Sequence, residues 1–336
     1  MKKMFWCLIV FLVFSCEEVE VTDVYNKESI TAEYPCVSDA LSCLDSINIE
    51  GGSVNFYSSF SLDSVNLVSG AIIVVHGATR NGDDYFNRMI STIKSVGLED
   101  SIMVIAPQFI TEYEKVHSKD WYWNTTSWKW GNQSYMNGSQ ISISSFEVID
   151  YLLSRVANTN KFPNLSKVLI TGHSSGSAFT HTFSSTKTSN AFGDLRLDFA
   201  VVNNQYFLYP DSNRFLNGAL FTPNDCSNYN DWPLGLTDPN PYIENLGVEV
   251  ASINLIGNRI DYFIGSNDTQ SNDMSSGCAY QILGEHRFQK TINFNDYLNL
   301  SFENNLHQYT IVQGIGHSST GMFFSNEFKS YINELF

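Results

Sequence analysis

Apolar residues of this chain fall into short uninterrupted runs that alternate with amphipathic stretches. The runs are rich in β-branched residues, which is typical of strands buried on both faces of a sheet. These strand-like runs are residues 71–75, 101–106, 167–171, 199–203, 260–265 and 309–312. Helices are predicted at residues 83–96, 144–157, 175–185, 277–298 and 322–335. The alternation predicts an α/β fold with a mostly parallel sheet and helices on both faces.

Two long irregular stretches, residues 107–140 and 204–248, interrupt this alternation as cap or loop insertions. Loops of this length are uncommon in compact domains and are often functional. Their aromatic residues either pack the loops onto the body of the domain or line the approach to a binding site, and both interpretations stay open. The candidates for substrate binding are Trp121, Trp123, Trp128, Trp130, Tyr206 and Tyr209. We also expect a β-hairpin within residues 53–67.

The strand predicted at residues 167–171 leads into Gly-His-Ser-Ser-Gly at residues 172–176. A Gly-x-Ser-x-Gly sequence between a buried strand and a helix is typical of a sharp turn that leaves its serine exposed. The glycines are needed because side chains beside so tight a turn would clash. Ser174 is therefore a candidate nucleophile, although a turn without chemistry fits the pentapeptide equally well.

A serine nucleophile needs a base within hydrogen-bond reach, and histidine suits neutral pH. His76, His173 and His317 each follow a predicted strand, where sites of parallel sheets form. We expect His76 to hold its loop, and His173 to point away from its neighbour Ser174. His317 is flanked by glycine and follows the last strand, so we take His317 as the base.

The base in turn needs a carboxylate that orients it and stabilises its charged form. Asp268 follows the predicted strand 260–265 at its carboxyl end and is the preferred acid. Asp273 in the same loop is the runner-up, and Asp261 lies at the wrong edge of the sheet.

The negative charge that develops during attack needs preorganised N–H donors. The backbone N–H of Ser175, at the start of a helix, would supply one of them. The other would come from Gly77 or Ala78, in the turn after the first buried strand, and Ala78 is our first choice.

The N-terminus carries an export signal. Lys2 and Lys3 precede an apolar stretch, residues 4–14, that is too short to span a bilayer. Residues 13–16 resemble a bacterial lipobox, with an acidic run after Cys16. We expect a signal peptide over 1–16, a tether and N-terminal segment over 17–50, and the catalytic domain over 51–336. A lipid on Cys16 would be the membrane contact of an outer-membrane or cell-surface lipoprotein, and the alternative is a periplasmic or secreted protein.

The charge composition argues against one class of binding partner, nucleic acid. Asp plus Glu outnumber Lys plus Arg by 35 to 19, a net charge of -16, and no basic stripe could neutralise phosphates, so nucleic acid is excluded as a partner.

Besides Cys7 and Cys16, an even set of cysteines remains, which suggests two disulfides in an oxidising compartment. Three pairings are possible, and we prefer Cys36–Cys43 with Cys226–Cys278. No Cys-x-x-Cys pair is present, so we expect no zinc site at these cysteines.

From about residue 71 onward the chain resembles the α/β-hydrolase superfamily, in which the order Ser174, Asp268, His317 is the usual chain order of the triad. It looks similar to a group of secreted bacterial and fungal hydrolases that carry His-Gly-x-x-Arg-Asn (here 76–81), Trp-x-Trp-Gly (128–131) and Ser-Phe-Glu-Val (145–148). That group also has cysteines that match Cys226 and Cys278, which supports this disulfide. It usually has Gly-His-Ser-Ala-Gly-Gly at the turn, where this chain has Ser175 and Ser177.

The resemblance and the triad together imply a serine esterase or lipase-like enzyme that works through an acyl-enzyme intermediate. We expect a small-molecule, glycan or lipid ester as substrate, no metal or organic cofactor, and a monomer. A peptidase or acyltransferase could use the same triad. From a different class, a non-catalytic surface glycan-binding lipoprotein could use the aromatic residues alone.

Overall fold

The computed structural model describes residues 35–37 and 40–336. The expected signal peptide, the lipidation site Cys16 and most of the tether lie outside the described residues. Within them, no helix combines the length and apolar character that a membrane crossing requires.

Ten strands lie in the described part of the chain. They are β1 (Leu44–Ile49), β2 (Gly52–Ser58), β3 (Gly70–Val75), β4 (Ile102–Pro107), β5 (Lys167–His173), β6 (Arg196–Val202), β7 (Arg214–Leu216), β8 (Ala219–Phe221), β9 (Ile260–Gly265) and β10 (Gln308–Val312). Eight of them form one sheet in the order β1-β2-β4-β3-β5-β6-β9-β10. Pairing is antiparallel for β1 with β2 and for β2 with β4, and parallel from β4 to β10. The mostly parallel sheet predicted from the apolar runs is confirmed.

Nine helices connect or cover these strands within the same residues. They are α1 (Gly82–Lys94), α2 (Ser145–Val156), α3 (Ser175–Phe183), α4 (Pro241–Leu246), α5 (Val248–Gly257), α6 (Cys278–Gln281), α7 (Arg287–Ser301), α8 (Ser319–Phe323) and α9 (Asn326–Leu335). Side chains that alternate along the strands enter two separate cores. The α1, α8 and α9 helices pack on one face, and α2, α3 and α7 on the other. Helices on both faces were predicted, and this is confirmed.

The N-terminal hairpin differs from the one expected at residues 53–67. The partner of β2 is β1, and the turn between them contains Glu50 and Gly51, both with positive φ. The expected hairpin is therefore wrong, because residues 65–67 form no strand. Only Ile47 and Ile49 of β1 are buried, so its mixed composition gave no apolar run. This strand lies within the predicted tether, and the boundary expected at residue 51 falls inside the hairpin.

Two disulfides join Cys36 to Cys43 and Cys226 to Cys278, which confirms the preferred pairing. The second disulfide attaches the irregular stretch before α4 to the first residue of α6. It thereby fixes the far end of the loop that begins after β9.

Candidate active site

The turn between β5 and α3 has the tight geometry predicted from its sequence. Ser174 is the single residue between the strand and the helix. Its backbone has φ 60° and ψ −114°, a conformation that costs a non-glycine residue about 1–3 kcal/mol. A Cβ atom on Gly172 would lie 2.4 Å from the backbone of Gly176, and one on Gly176 would lie 2.1 Å from the carbonyl oxygen of Val75. Both glycines are therefore required for close backbone contact, and the serine is held at the apex.

The structure brings the three predicted triad residues together at the carboxyl ends of the parallel strands. The Nε2 atom of His317 lies 3.0 Å from the Oγ atom of Ser174. The Nδ1 atom of His317 lies 2.8 Å from Oδ2 of Asp268. Asp268 is fully buried, whereas the imidazole of His317 is partly exposed. The loop from β10 carries the ring back over the sheet.

These contacts assign the protons of a neutral His317. A carboxylate can only accept, so Nδ1 must carry the hydrogen and donate it to Asp268. Nε2 is then left with its lone pair facing the hydroxyl of Ser174, from which it accepts. The ring is thus oriented to take the serine proton.

A buried arginine, which the sequence analysis did not single out, lies beside Asp268. The Nη1 atom of Arg287, at the start of α7, lies 3.6 Å from Oδ1 of Asp268, and both side chains are buried. The backbone N–H of Phe288 also donates to the carbonyl of Asp268, at 3.1 Å. A single cation in a helical stretch carries no local signal, and only the fold places it here. Asp273, the runner-up acid, is exposed and has φ 59°.

Asn203 is a second residue that sequence reasoning missed. It directly follows β6, is fully buried, and has φ 52°. Its Oδ1 accepts from the N–H of Gly265 at 2.9 Å, and its Nδ2 donates to the carbonyl of Gly316 at 3.0 Å. Nδ2 also lies 3.3 Å from Nε2 of His173. One amide therefore joins the end of β9, which precedes the acid, to the loop that carries His317.

The other two strand-end histidines are buried. The ring of His173 packs on that of His317 with centroids 4.6 Å apart. Burial, together with the charge that His317 can carry, holds the pKa of His173 well below its usual value, so this ring stays neutral. His76 accepts from the N–H of Phe109 at 3.0 Å and contacts the carbonyl of Gly77 at 3.0 Å, while burial lowers its pKa to about 4. His76 holds its loop, as predicted.

The expected oxyanion donors lie on the two turns that flank this site. Ser175 is the first residue of α3, and its amide donates to no protein acceptor in the described chain; nor does the amide of Ala78. The Ala78 peptide is held in place because Arg80 donates to its carbonyl at 3.0 Å. Arg80 is itself fixed by a bidentate contact with Glu114, at 2.8 and 3.0 Å. Gly77 is buried beneath the same turn.

Most of the aromatic residues proposed to contact substrate instead belong to the core. The indole of Trp121 donates to the carbonyl of Ile49 at 2.7 Å, and Trp128 packs on His76 with ring centroids 4.6 Å apart. A fully buried ring has no surface to offer a ligand. The substrate-binding interpretation is therefore wrong for Trp121, Trp123, Trp128 and Tyr209. Packing of the loops onto the body of the domain explains these residues.

For Trp130 and Tyr206, both interpretations, packing and contact with substrate, stay open. Their rings meet edge to face, with centroids 5.2 Å apart. Between them lies the buried ammonium of Lys129, 4.4 Å from the centroid of Trp130 and 4.6 Å from that of Tyr206. Burial lowers the pKa of Lys129 to about 8. Contact of these rings with substrate remains a prediction.

Across residues 35–37 and 40–336, no three histidine, cysteine or acidic side chains converge as metal ligands. Ser174, His317 and Asp268 are residue types that can serve as nucleophile, base and acid in acyl transfer.

Comparison with known proteins shows which solved structures share this fold. No family model and no curated protein matches the chain. Among solved structures, LpqC, a poly(3-hydroxybutyrate) depolymerase from Bordetella parapertussis, is 16% identical, covers 83% of this chain and 86% of its own, and has a TM-score of 0.59. Poly(aspartic acid) hydrolase-1 from Sphingomonas sp. KT-1 is 19% identical, covers 87% and 97%, and has a TM-score of 0.60. The chain has the α/β-hydrolase fold, which its motifs predicted.

Proposed function

We propose that this protein is a serine hydrolase that cleaves carboxylic esters through an acyl-enzyme intermediate. The observation that carries the proposal is the continuous hydrogen-bonded series from Asp268 through His317 to Ser174. It is supported by the strained position of Ser174, because such strain in a non-glycine residue clusters at functional sites.

In the first half of the reaction, Nε2 of His317 takes the proton of Ser174 as Oγ attacks the ester carbonyl. The negative oxygen of the tetrahedral intermediate accepts hydrogen bonds from the backbone N–H groups of Ala78 and Ser175. Asp268 stabilises the imidazolium ion of His317, which then gives its proton to the leaving alcohol. Each donor of this kind is typically worth about 3 kcal/mol in the transition state.

In the second half, the same base activates water. Nε2 of His317 takes a proton from water, whose oxygen attacks the acyl carbonyl. Collapse of the second intermediate returns the proton to Ser174 and releases the acid. The proteins with this fold act, by their names, on poly(3-hydroxybutyrate) and poly(aspartic acid). This chain is under 20% identical to either, so neither polymer is taken over as its substrate.

A panel of p-nitrophenyl esters of increasing acyl length tests the proposal, with the matching p-nitroanilides as amide controls. We expect wild type to cleave esters, and Ser174→Ala to lower kcat/KM by about 10³-fold or more. Ser91→Ala, an exposed serine on α1, should leave kcat/KM unchanged. Full activity in Ser174→Ala would refute the proposal, and preferential cleavage of the anilides would replace the esterase with a peptidase.

A further inference from the structure

A cavity of about 400 Å³ opens beside the loop that carries Asp268. Part of its wall is that loop, and the rest comes from α6, α7 and the turn between them. Most of the polar wall side chains can donate hydrogen bonds. They are Ser271, Ser275, Ser276, Tyr280, Gln281 and Lys290.

Lys290 is the unusual member of this wall. It is only 1% exposed, and in the described part of the chain its ammonium has no hydrogen bond, ion pair or ring contact. Its nearest charged neighbour on α7 is Arg287, which is also positive; burial, with the charge of Arg287, lowers the pKa of Lys290 to about 8. A charge that is almost entirely removed from water is costly when it has no partner. Such a lysine facing a cavity indicates an anionic ligand.

The cavity lies at the same edge of the sheet as the triad. Arg287, one helical turn before Lys290, contacts Asp268 at 3.6 Å. On the other side, the hydroxyl of Ser275 lies 2.6 Å from the hydroxyl of Tyr206, in the segment that follows β6. These two contacts connect the cavity wall to Asp268 and to the segment that follows β6.

We propose that this cavity binds a carboxylate carried by the substrate, so that the preferred esters have a free carboxylate remote from the bond that is cleaved. This inference rests on the proposed ester hydrolysis. Lys290 supplies the charge, and the hydroxyls of Ser275 and Ser276 supply further donors. Glu285 is the acidic residue of the wall; it is exposed, forms no ion pair with a described residue, and is therefore screened by water.

Matched pairs of p-nitrophenyl esters test this assignment. The monoesters of glutaric, adipic and suberic acid are anionic, and the valerate, hexanoate and octanoate are their neutral counterparts. For at least one length, wild type should prefer the anionic ester. Lys290→Met should then lower kcat/KM for that ester by at least about tenfold, mainly through KM, and leave the neutral ester within about twofold. Lys290→Arg should retain most of the preference.

Two further variants make the test specific to the cavity. Lys187→Met removes a half-buried lysine that pairs with Asp150 and lies outside the wall, and should keep the preference for the anionic ester. Ser276→Glu places a carboxylate in the wall from an exposed loop, and should abolish the preference by repulsion. Activity on the neutral ester shows that each variant is folded.

The absence of an anionic preference at every length would overturn the assignment. So would a preference that survives Lys290→Met or Ser276→Glu, or one that Lys187→Met removes equally. In each of these cases ester hydrolysis itself stands. Failure of wild type to cleave either member of any pair would instead refute the proposed function.

Discussion

Two hydrogen-bonded clusters in this molecule are built around histidine. At the strand ends, His317 connects Asp268 to Ser174. In the core, the Tyr262 hydroxyl lies 3.1 Å from Nδ1 of both His181 and His307. Nε2 of His181 accepts from the N–H of Leu208 at 2.8 Å, and Nε2 of His307 lies 2.8 Å from the carbonyl of Leu255.

The core cluster has a single consistent set of protons. Because Nε2 of His181 accepts from an N–H, its Nδ1 must donate to Tyr262. The Nε2 of His307 faces a carbonyl and must donate, so its Nδ1 accepts the proton of Tyr262. Every ring nitrogen is used by a fixed partner. Burial lowers the pKa of His181 to about 3 and that of His307 to about 4, so both rings are neutral.

If the proposed function holds, the comparison indicates what separates a reactive histidine from a structural one. Both clusters are complete hydrogen-bonded series. The core series ends on backbone groups at both sides, whereas the series at the strand ends finishes on a serine hydroxyl at a strained, partly exposed turn. On the proposed function, the group at the end of each series distinguishes the two clusters: a serine hydroxyl in one and backbone groups in the other.

Asp268→Asn should produce the largest effect and test whether the strand-end series is functional. The amide would donate toward Nδ1 of His317 and favour the wrong tautomer, so we expect kcat/KM to fall by about 10³–10⁴-fold. Asp273→Asn, in the same loop, is the matched control and should keep wild-type activity. Equal activity in wild type and Asp268→Asn, with an unchanged melting temperature, would mean that the acid has been misassigned.

Acid should destabilise the core cluster. The folded-state pKa values of His181 and His307, about 3 and about 4, lie below the ordinary 6.5 of the unfolded chain. The unfolded state therefore binds more protons between pH 6.5 and 4, and stability falls as the pH drops through this window. At pH 4 the loss from His307 alone is on the order of 3 kcal/mol. Urea unfolding between pH 7 and 4 measures this loss of unfolding free energy.

His307→Gln is the informative variant for that series, since it removes one of the groups that must titrate. Its stability should depend less steeply on pH than that of wild type. An identical pH dependence in the two proteins would show that His307 is not held neutral by the fold.

Tyr262→Phe separates the two clusters directly. It removes the shared hydroxyl and leaves the Nδ1–H of His181 without an acceptor, at a cost of about 2 kcal/mol of unfolding free energy. The folded variant should keep kcat/KM within about twofold of wild type, because the strand-end series is intact. A large loss of kcat at full folding would mean that the clusters are coupled.

In free energy, Asn203→Asp should give the smallest of these effects, and it tests how the strand-end series is positioned. Aspartate tolerates positive φ and keeps the acceptor for Gly265, but it loses the donor to the carbonyl of Gly316. We expect kcat to fall about tenfold with little change in KM, because the loop carrying His317 is held less closely. Steady-state kinetics that change KM alone would argue for a role in substrate binding.

The sequence predicted those parts of the fold and of the candidate site that have a recognisable local sequence pattern. The buried parallel strands are continuous apolar runs, and the turn at Ser174 needs two glycines at fixed spacing. His317 and Asp268 were found because residues just past parallel strands meet at one edge of the sheet. The strand Leu44–Ile49 was missed because only one of its faces is buried.

Contacts between distant segments have no such pattern. Arg287 and Asn203 act on residues far away in the chain, and neither belongs to a motif. The tryptophans show the opposite error, since a cluster of large rings in a loop is compatible with a binding surface and with a packed core. Burial alone distinguishes the two, and burial depends on the complete fold.

Reaction with a fluorophosphonate tests the central claim most directly, because this reagent forms a stable adduct with an activated serine. Intact-mass spectrometry should show one adduct per chain, and tandem mass spectrometry of the digest should place it on Ser174. Labelling should be lost in His317→Ala and retained in Tyr262→Phe. No adduct, an adduct on another residue, or equal labelling in His317→Ala would contradict the account.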